Sequence, residues 1–107
     1  MANPFDVQPR RWTNLTVLSD DVDFAYCYVF YHQDDGSVSL ALGDRWNWDV
    51  SDPLSIGYPS LGGNPTWFVI DPTMVGPILA ELEKRAIEND DFVSASRIFD
   101  ARKAFKV

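Results

Sequence analysis

The sequence predicts an α+β fold, an antiparallel sheet of about four strands followed by a C-terminal two-helix hairpin. The first observation behind this is a period-two alternation over Asp23–His32. Phe24, Tyr26, Tyr28, Phe30 and His32 fall on one face and Ala25, Cys27, Val29 and Tyr31 on the other. The second is a change of charge chemistry at residue 71. Residues 1–71 hold ten aspartates against Arg10, Arg11 and Arg45, with no lysine and no glutamate, whereas residues 72–107 hold six acids and six bases. Aspartate favours turns, while glutamate and lysine favour helices, so a strand-and-loop half precedes a helical half. The third is an apolar stripe at helical spacing, formed by Val75, Ile78, Leu79, Leu82 and Ala86.

In chain order, Thr13–Leu18 is the first expected strand. Asp23–His32, apolar on both faces, reads as a central strand covered on two sides. Gln33-Asp34-Asp35-Gly36 is a turn signal, and Ser37–Gly43 returns with Val38, Leu40 and Leu42 inward and Ser37 and Ser39 outward, closing a hairpin. Asp49–Pro65 contains Pro53, Pro59, Pro65, Gly57, Gly62 and Gly63, and is expected to be a long irregular loop of the kind that carries function. Trp67–Ile70 is the last expected strand. Asp71-Pro72-Thr73 has helix-start chemistry, but an interior proline at 77 would cost a donor, so the regular helix is expected from Gly76-Pro77 after an irregular turn. Asn89-Asp90 breaks the stripe and is expected to cap a second helix. That helix would carry Phe92, Ala95, Ile98, Phe99 and Phe105 mostly on one side.

At 107 residues, 46% hydrophobic and 23% charged, residues 1–107 have the size of one domain. No apolar run approaches the ~20 residues that cross a bilayer, and the first residues lack the basic and apolar regions of a secretory signal. Cys27 is the sole cysteine, which fits a reducing, cytoplasmic setting. A net charge of −7 argues against direct binding to nucleic acid or to an anionic membrane, since both require a basic face.

The residue types of catalysis do not assemble. His32, the only histidine, falls at a strand end beside Asp34 and Asp35. Cys27 lies mid-strand among aromatics, where a thiol behaves as a small hydrophobe. Ser60 lacks the glycine spacing of a nucleophile elbow. No Cys or His pair has metal-ligand spacing, Asp20, Asp21 and Asp23 do not follow an EF-hand pattern, and Gly62-Gly63-Asn64-Pro65 is a turn and not a phosphate loop. The expectation is a protein that is not an enzyme, with no cofactor and no metal.

Arg45-Trp46-Asn47-Trp48 is the sharpest constellation. Arginine can fork onto phosphate, tryptophan can stack on a base, and asparagine can read a base edge. On a strand Trp46 and Trp48 share one face and Arg45 and Asn47 the other. The plainer reading fills the core with the two tryptophans and pairs Arg45 with Asp44 or Asp49. Farther along, Arg97, Arg102, Lys103 and Lys106 give residues 92–107 a net charge of +3. These cations complement a helix C-terminus, or, doubled across a two-fold axis, form an anion pocket.

Residues 86–100, through Phe92, Ala95, Arg97 and Asp100, resemble the UVR helical hairpin of excision-repair and protease-adaptor proteins. That resemblance implies protein binding. The whole layout is an aromatic sheet, a Gly57-Tyr58-Pro59 to Asn64-Pro65-Thr66-Trp67-Phe68-Val69-Ile70 segment, and two terminal helices. It is similar to the small phage sponge proteins of Thoeris anti-defence. This second resemblance implies an oligomer that holds a cyclic ADP-ribose-type molecule between a sheet and the terminal helices of neighbouring subunits.

The expected function is therefore non-catalytic sequestration of a small anionic, nucleotide-derived ligand by a homo-oligomer. Trp46, Trp48 and Trp67 would stack, Arg45, Arg97 and Arg102 would pair phosphate, and Asn47 or Asn64 would hydrogen-bond. The alternative is an acidic protein-blocking module of inhibitor or immunity type. In it Asp20, Asp21, Asp23, Asp34, Asp35, Asp49 and Asp52 would face a basic protein partner. A purely structural oligomer joined through exposed aromatics is the third reading.

Overall fold

The computed structural model describes residues 2–48, 52 and 54–107; Asp49 and Pro53, both singled out in the sequence, lie outside them. Strands β1 (Trp12–Asp20), β2 (Phe24–His32) and β3 (Val38–Trp46) form an antiparallel meander. A small hairpin of β4 (Ser60–Leu61) and β5 (Asn64–Pro65) follows, and β6 (Phe68–Val69) then joins the outer edge of β3. The main sheet has the order β1-β2-β3-β6, and helices α1 (Val75–Glu88) and α2 (Phe92–Phe105) end the chain. This is the expected four-stranded antiparallel sheet followed by two helices.

The β2–β3 hairpin turns where the sequence predicts. Gly36 adopts φ +85°, the left-handed region that glycine enters without strain, and the Asp35 carboxylate accepts from the Ser37 amide. Strand β3 runs three residues past the expected Gly43. Asp44, Arg45 and Trp46 pair in register with Tyr26, Ala25 and Phe24, so ladder hydrogen bonds extend the strand after its apolar alternation has ended. The predicted inward position of Val38 is corrected: it lies exposed at the hairpin tip, beyond the reach of either covering layer.

Both faces of the sheet are covered, but by different material. On one face Leu18 and Leu42 pack against Val75, Leu79 and Leu82 of α1 and Ile98 and Ala101 of α2. Each fully buried side chain of Leu or Ile size contributes about 1.5–3 kcal/mol. On the other face Val17, Ala25, Cys27, Val29 and Ala41 pack against Val7, Trp12 and Trp67. The N-terminal segment and the segment before β6 build this second layer, tied together by the Trp67 indole, which donates to the Val7 carbonyl at 2.7 Å.

The helix signals hold with two adjustments. A 3-10 turn over Pro72–Met74 precedes α1, with the Asp71 carboxylate accepting from the Thr73 amide, so Pro77 falls within the first turn, where no intrahelical donor is lost. The second helix is capped by Asp91, one residue after the expected pair, through a 3.1 Å bond from the Ser94 amide. Its buried stripe is Ala95, Ile98, Ala101 and Phe105, while Phe92 and Phe99 point to solvent. The tight connection, with Asp90 at φ +55°, fixes the rotation of α2 on α1 and turns Phe99 outward. Among the described residues no helix is long and apolar enough to cross a membrane.

Candidate binding surface

Strand alternation divides the Arg45-Trp46-Asn47-Trp48 constellation. Arg45 and Asn47 point into the layer built by the N-terminal segment and the long loop, and both are 0% exposed. The Arg45 guanidinium donates to the carbonyls of Thr66 at 2.5 Å, Trp46 at 3.1 Å and Ile56, and its Nε donates to Asn47 Oδ1 at 3.3 Å. Burial lowers its pKa from the ordinary value, and among the described residues no carboxylate pairs with it. The sequence pairing of Arg45 with Asp44 is thus corrected, because the two side chains leave the strand on opposite faces.

Asn47 closes a second latch. Its Nδ2 donates to the Val22 carbonyl at 3.0 Å and to Asp20 Oδ1 at 3.3 Å, while its amide donates to the Asp23 carbonyl at 2.7 Å. The Trp48 indole donates to the Asp23 carboxylate. These bonds hold the β1–β2 turn against the end of β3, with Val22 at φ +83°. Asp20 and Asp21 also cap their own turn, accepting from the Val22 and Phe24 amides. Among the described residues no group of three or more His, Cys, Asp or Glu side chains could hold a metal ion.

Trp46 emerges on the opposite face, 48% exposed, so neither member of the tryptophan pair is a fully buried core residue. The remaining candidates are scattered. Trp67 is buried in the loop-side layer, and Asn64 is exposed in the β4–β5 hairpin. Arg97 lines a cleft of about 400 Å³ between the end of β1 and the α1–α2 connection, together with Arg85, Asn89, Asp20, Asp21 and Asp91. Arg102 pairs with Glu83 of α1 at 3.0 Å and borders a separate groove with Phe99, Lys103 and Lys106. Within one chain, then, the eight residues singled out for ligand binding do not converge, and the cleft that holds Arg97 mixes two arginines with three aspartates.

What the sheet does assemble is a partly exposed surface beside α1, bordered by Tyr26, which packs against the helix-side core. Residues opposite one another on antiparallel neighbours share a face. Phe24, Trp46 and Tyr58 form one row across β2, β3 and the loop, through the Phe24–Trp46 register and the Trp46–Tyr58 bridge. Tyr26, Asp44 and Phe68 form the next row across β2, β3 and β6. The rings interlock edge to face, Phe24 on Trp46 at 4.7 Å and 82°, and Phe24 on Tyr26 at 5.2 Å and 60°. Trp46, Tyr58 and Phe68 are each about half exposed, at 48%, 52% and 53%.

Asp44 sits in the middle of this aromatic surface. Burial pushes its carboxyl above the usual range, and among the described residues no cation pairs with it. Tyr26 is also raised, first by burial and then by the Asp44 charge, with Arg85 acting in the opposite sense. Arg85 itself is bonded to Glu81 at 3.1 Å. The parity of Phe24 and Tyr26 was legible in the sequence, and carrying it across the hairpin to Asp44 and Trp46 is the signal that would have located this surface.

The other polar candidates are accounted for locally. His32 is exposed and hydrogen-bonded to Thr13 Oγ1 at 2.9 Å, and Asp34 pairs with Arg11 at the hairpin end. Cys27 is a buried free thiol whose pKa is raised by desolvation. Comparison with known proteins gives no match to a family model, to a curated protein or to a solved structure.

Proposed function

We propose that this protein is a non-catalytic binding module that docks on another protein through the aromatic face of its sheet, as an inhibitor or immunity-type protein does. The observation that carries the reading is the half-exposed set of Trp46, Tyr58 and Phe68, placed around Asp44 by the pairing of β3 with β2 and β6 and by the Trp46–Tyr58 bridge. Aromatic side chains fixed on strands give large contact area at small entropic cost, and clustered exposed aromatics mark interaction sites. A net charge of −7 favours a basic partner and speeds encounter with it.

The test is site-specific photocrosslinking in the cells that make the protein, with benzoylphenylalanine at position 68 and, as control, at position 104 on the outer side of α2. The expected result is one defined protein adduct from position 68, lost in Trp46→Ser and reduced at high salt, with none from position 104. No adduct from position 68 would overturn the reading.

Capture of a nucleotide-derived anion is the second reading, and it keeps one supporting observation: Arg97 and Arg85 both line the cleft beside the α1–α2 connection. With Asp20, Asp21 and Asp91 in the same cleft, a phosphate site there would need cations from a second subunit. Native mass spectrometry separates the two readings. An oligomer that retains a molecule of a few hundred daltons would favour capture, and a bare chain would favour docking.

A further inference from the structure

We propose that the aromatic face receives an arginine side chain of its partner, its guanidinium seated over Asp44 and stacked against Trp46 and Phe68. This rests on the docking reading above and specifies the partner's chemistry. A carboxylate half-buried in register between Tyr26 and Phe68 has lost part of its hydration, and among the described residues no cation pairs with it. Half-buried charges are costly unless paired and hydrogen-bonded. Arg85, a cation that acts on Tyr26 from the α1 side, is held by Glu81. The surface around Asp44 thus has a defined sign and shape: negative at the centre, with ring faces and edges around it.

Guanidinium fits that description better than ammonium. It is planar, forks onto a carboxylate with two parallel hydrogen bonds, and stacks on aromatic rings while sacrificing little hydration. Charge balance supports the same occupant. Residues 1–71 carry a net charge of −7, and the hairpin-end arginine, Arg11, is already paired with Asp34. A basic segment laid along the β3–β6 side of the sheet would meet no like charge from the strands beneath it, since Arg45 is buried on the far side.

The experiment titrates the purified chain with acetyl-Arg-Gly-Arg-Gly-Arg-amide and with its lysine counterpart, followed by amide and indole NMR shifts. Shifts are expected at Tyr26, Asp44, Trp46 and Phe68 and at the Trp46 indole, with the arginine peptide the tighter of the two by about threefold. Asp44→Asn should weaken binding about tenfold, the loss expected for a charge-assisted bidentate contact. Trp46→Ala should weaken it about threefold. Asp35→Asn makes the same charge change at the hairpin tip and should alter affinity by less than about twofold, as a screened exposed charge does.

Unshifted core amides in each variant will show that the fold is intact, and Trp46→Ala serves alone if Asp44→Asn does not fold. Equal weakening by Asp44→Asn and Asp35→Asn would reduce the attraction to net charge and overturn the arginine seat, while a crosslink from position 68 would leave the docking reading standing. Peptide binding at Asp44 without any position-68 crosslink would sink the docking reading alone. Shifts at the same residues on concentrating the chain without peptide would give the face to a second copy and overturn the assignment to a partner.

Discussion

Replacing Arg45 by alanine should destabilise the protein severely, and the size of the loss follows from what the guanidinium holds. Its hydrogen bonds reach carbonyls at Trp46 on β3, at Ile56 in the long loop and at Thr66 before β6, together with the Asn47 side chain. Carbonyls at residues 46, 56 and 66 therefore share one donor group. A hydrogen bond to a charged group is worth about 1.5–3 kcal/mol, and the contributions are not additive. Removing one partner of a buried charged network costs about 3–5 kcal/mol, mostly through the groups left unpaired. We expect a loss of about 4 kcal/mol, a large part of the 5–15 kcal/mol typical of a folded domain. At about 4–8 °C per kcal/mol, Tm should fall by roughly 16–32 °C. Arg45→Lys keeps the charge but not the fork and should cost about half as much. Urea and thermal unfolding followed by tryptophan fluorescence measure both variants. A loss under about 1 kcal/mol in Arg45→Ala would refute the latch and return Arg45 to the list of ligand-binding candidates.

Three further outcomes follow from neighbouring geometry. Gly57→Ala would place a Cβ 1.9 Å from the Trp46 carbonyl oxygen at a backbone of φ +80°, so it should cost about 3 kcal/mol. In a double-mutant cycle with Arg45→Ala its cost should fall well short of additive, because the two changes open the same latch. Val22→Gly should stabilise by about 1 kcal/mol, read as a higher urea midpoint, since only the glycine adopts φ +83° without a Cβ clash. Cys27 should resist a thiol reagent at pH 8 in the native protein and release one equivalent in denaturant. Its raised folded-state pKa means that the folded state holds the proton more tightly. The matching stability is present below the ordinary thiol pKa and is lost as pH climbs past about 9, which thermal unfolding across pH 7–10 can check.

The fold was legible where local chemistry and tertiary packing agree. The Asp35-Gly36 turn, the two-sided β2 strand and the proline-delayed start of α1 each combine a backbone preference with a burial pattern, and all three stand in the structure. What stayed hidden depends on contacts made at long range. Strand β3 continues through Asp44-Arg45-Trp46 because β2 is there to pair with it, and although Trp46 favours a strand, Asp44 and Arg45 break the apolar alternation that marks one. The orientation of α2 depends on a three-residue connection that leaves Phe92 and Phe99 outside the core and Ala101 within it. The candidate site depends on long-range placement in the same way, and within one chain its eight residues do not converge. Arginine followed by tryptophan is the chemistry of nucleotide binding, and it is equally the chemistry of a buried loop anchor next to an exposed ring.

Parity decides between those two readings, and it connects stability to function here. Along β3 the odd-numbered positions 43, 45 and, beyond the strand end, 47 face the loop layer, where the Arg45 and Asn47 side chains are hydrogen-bonded within the chain. The even-numbered positions 44 and 46 face the other side, where an aromatic ring lies half exposed and a carboxylate is partly desolvated and, among the described residues, pairs with no cation. The Trp46 ring gains its contact with Phe24, but Asp44 is a cost to folding, since a neutral residue at 44 would satisfy the same ladder without desolvating a charge. Local departures from the rules of stable packing concentrate where a protein meets something else. The loop-side latch around Arg45 keeps β3 straight and its register fixed, and so holds Asp44 and Trp46 in place on the other face. Arg45 and Asn47, both singled out in the sequence, are thereby scaffold, while Asp44 and Trp46, one position away, lie on the opposite face.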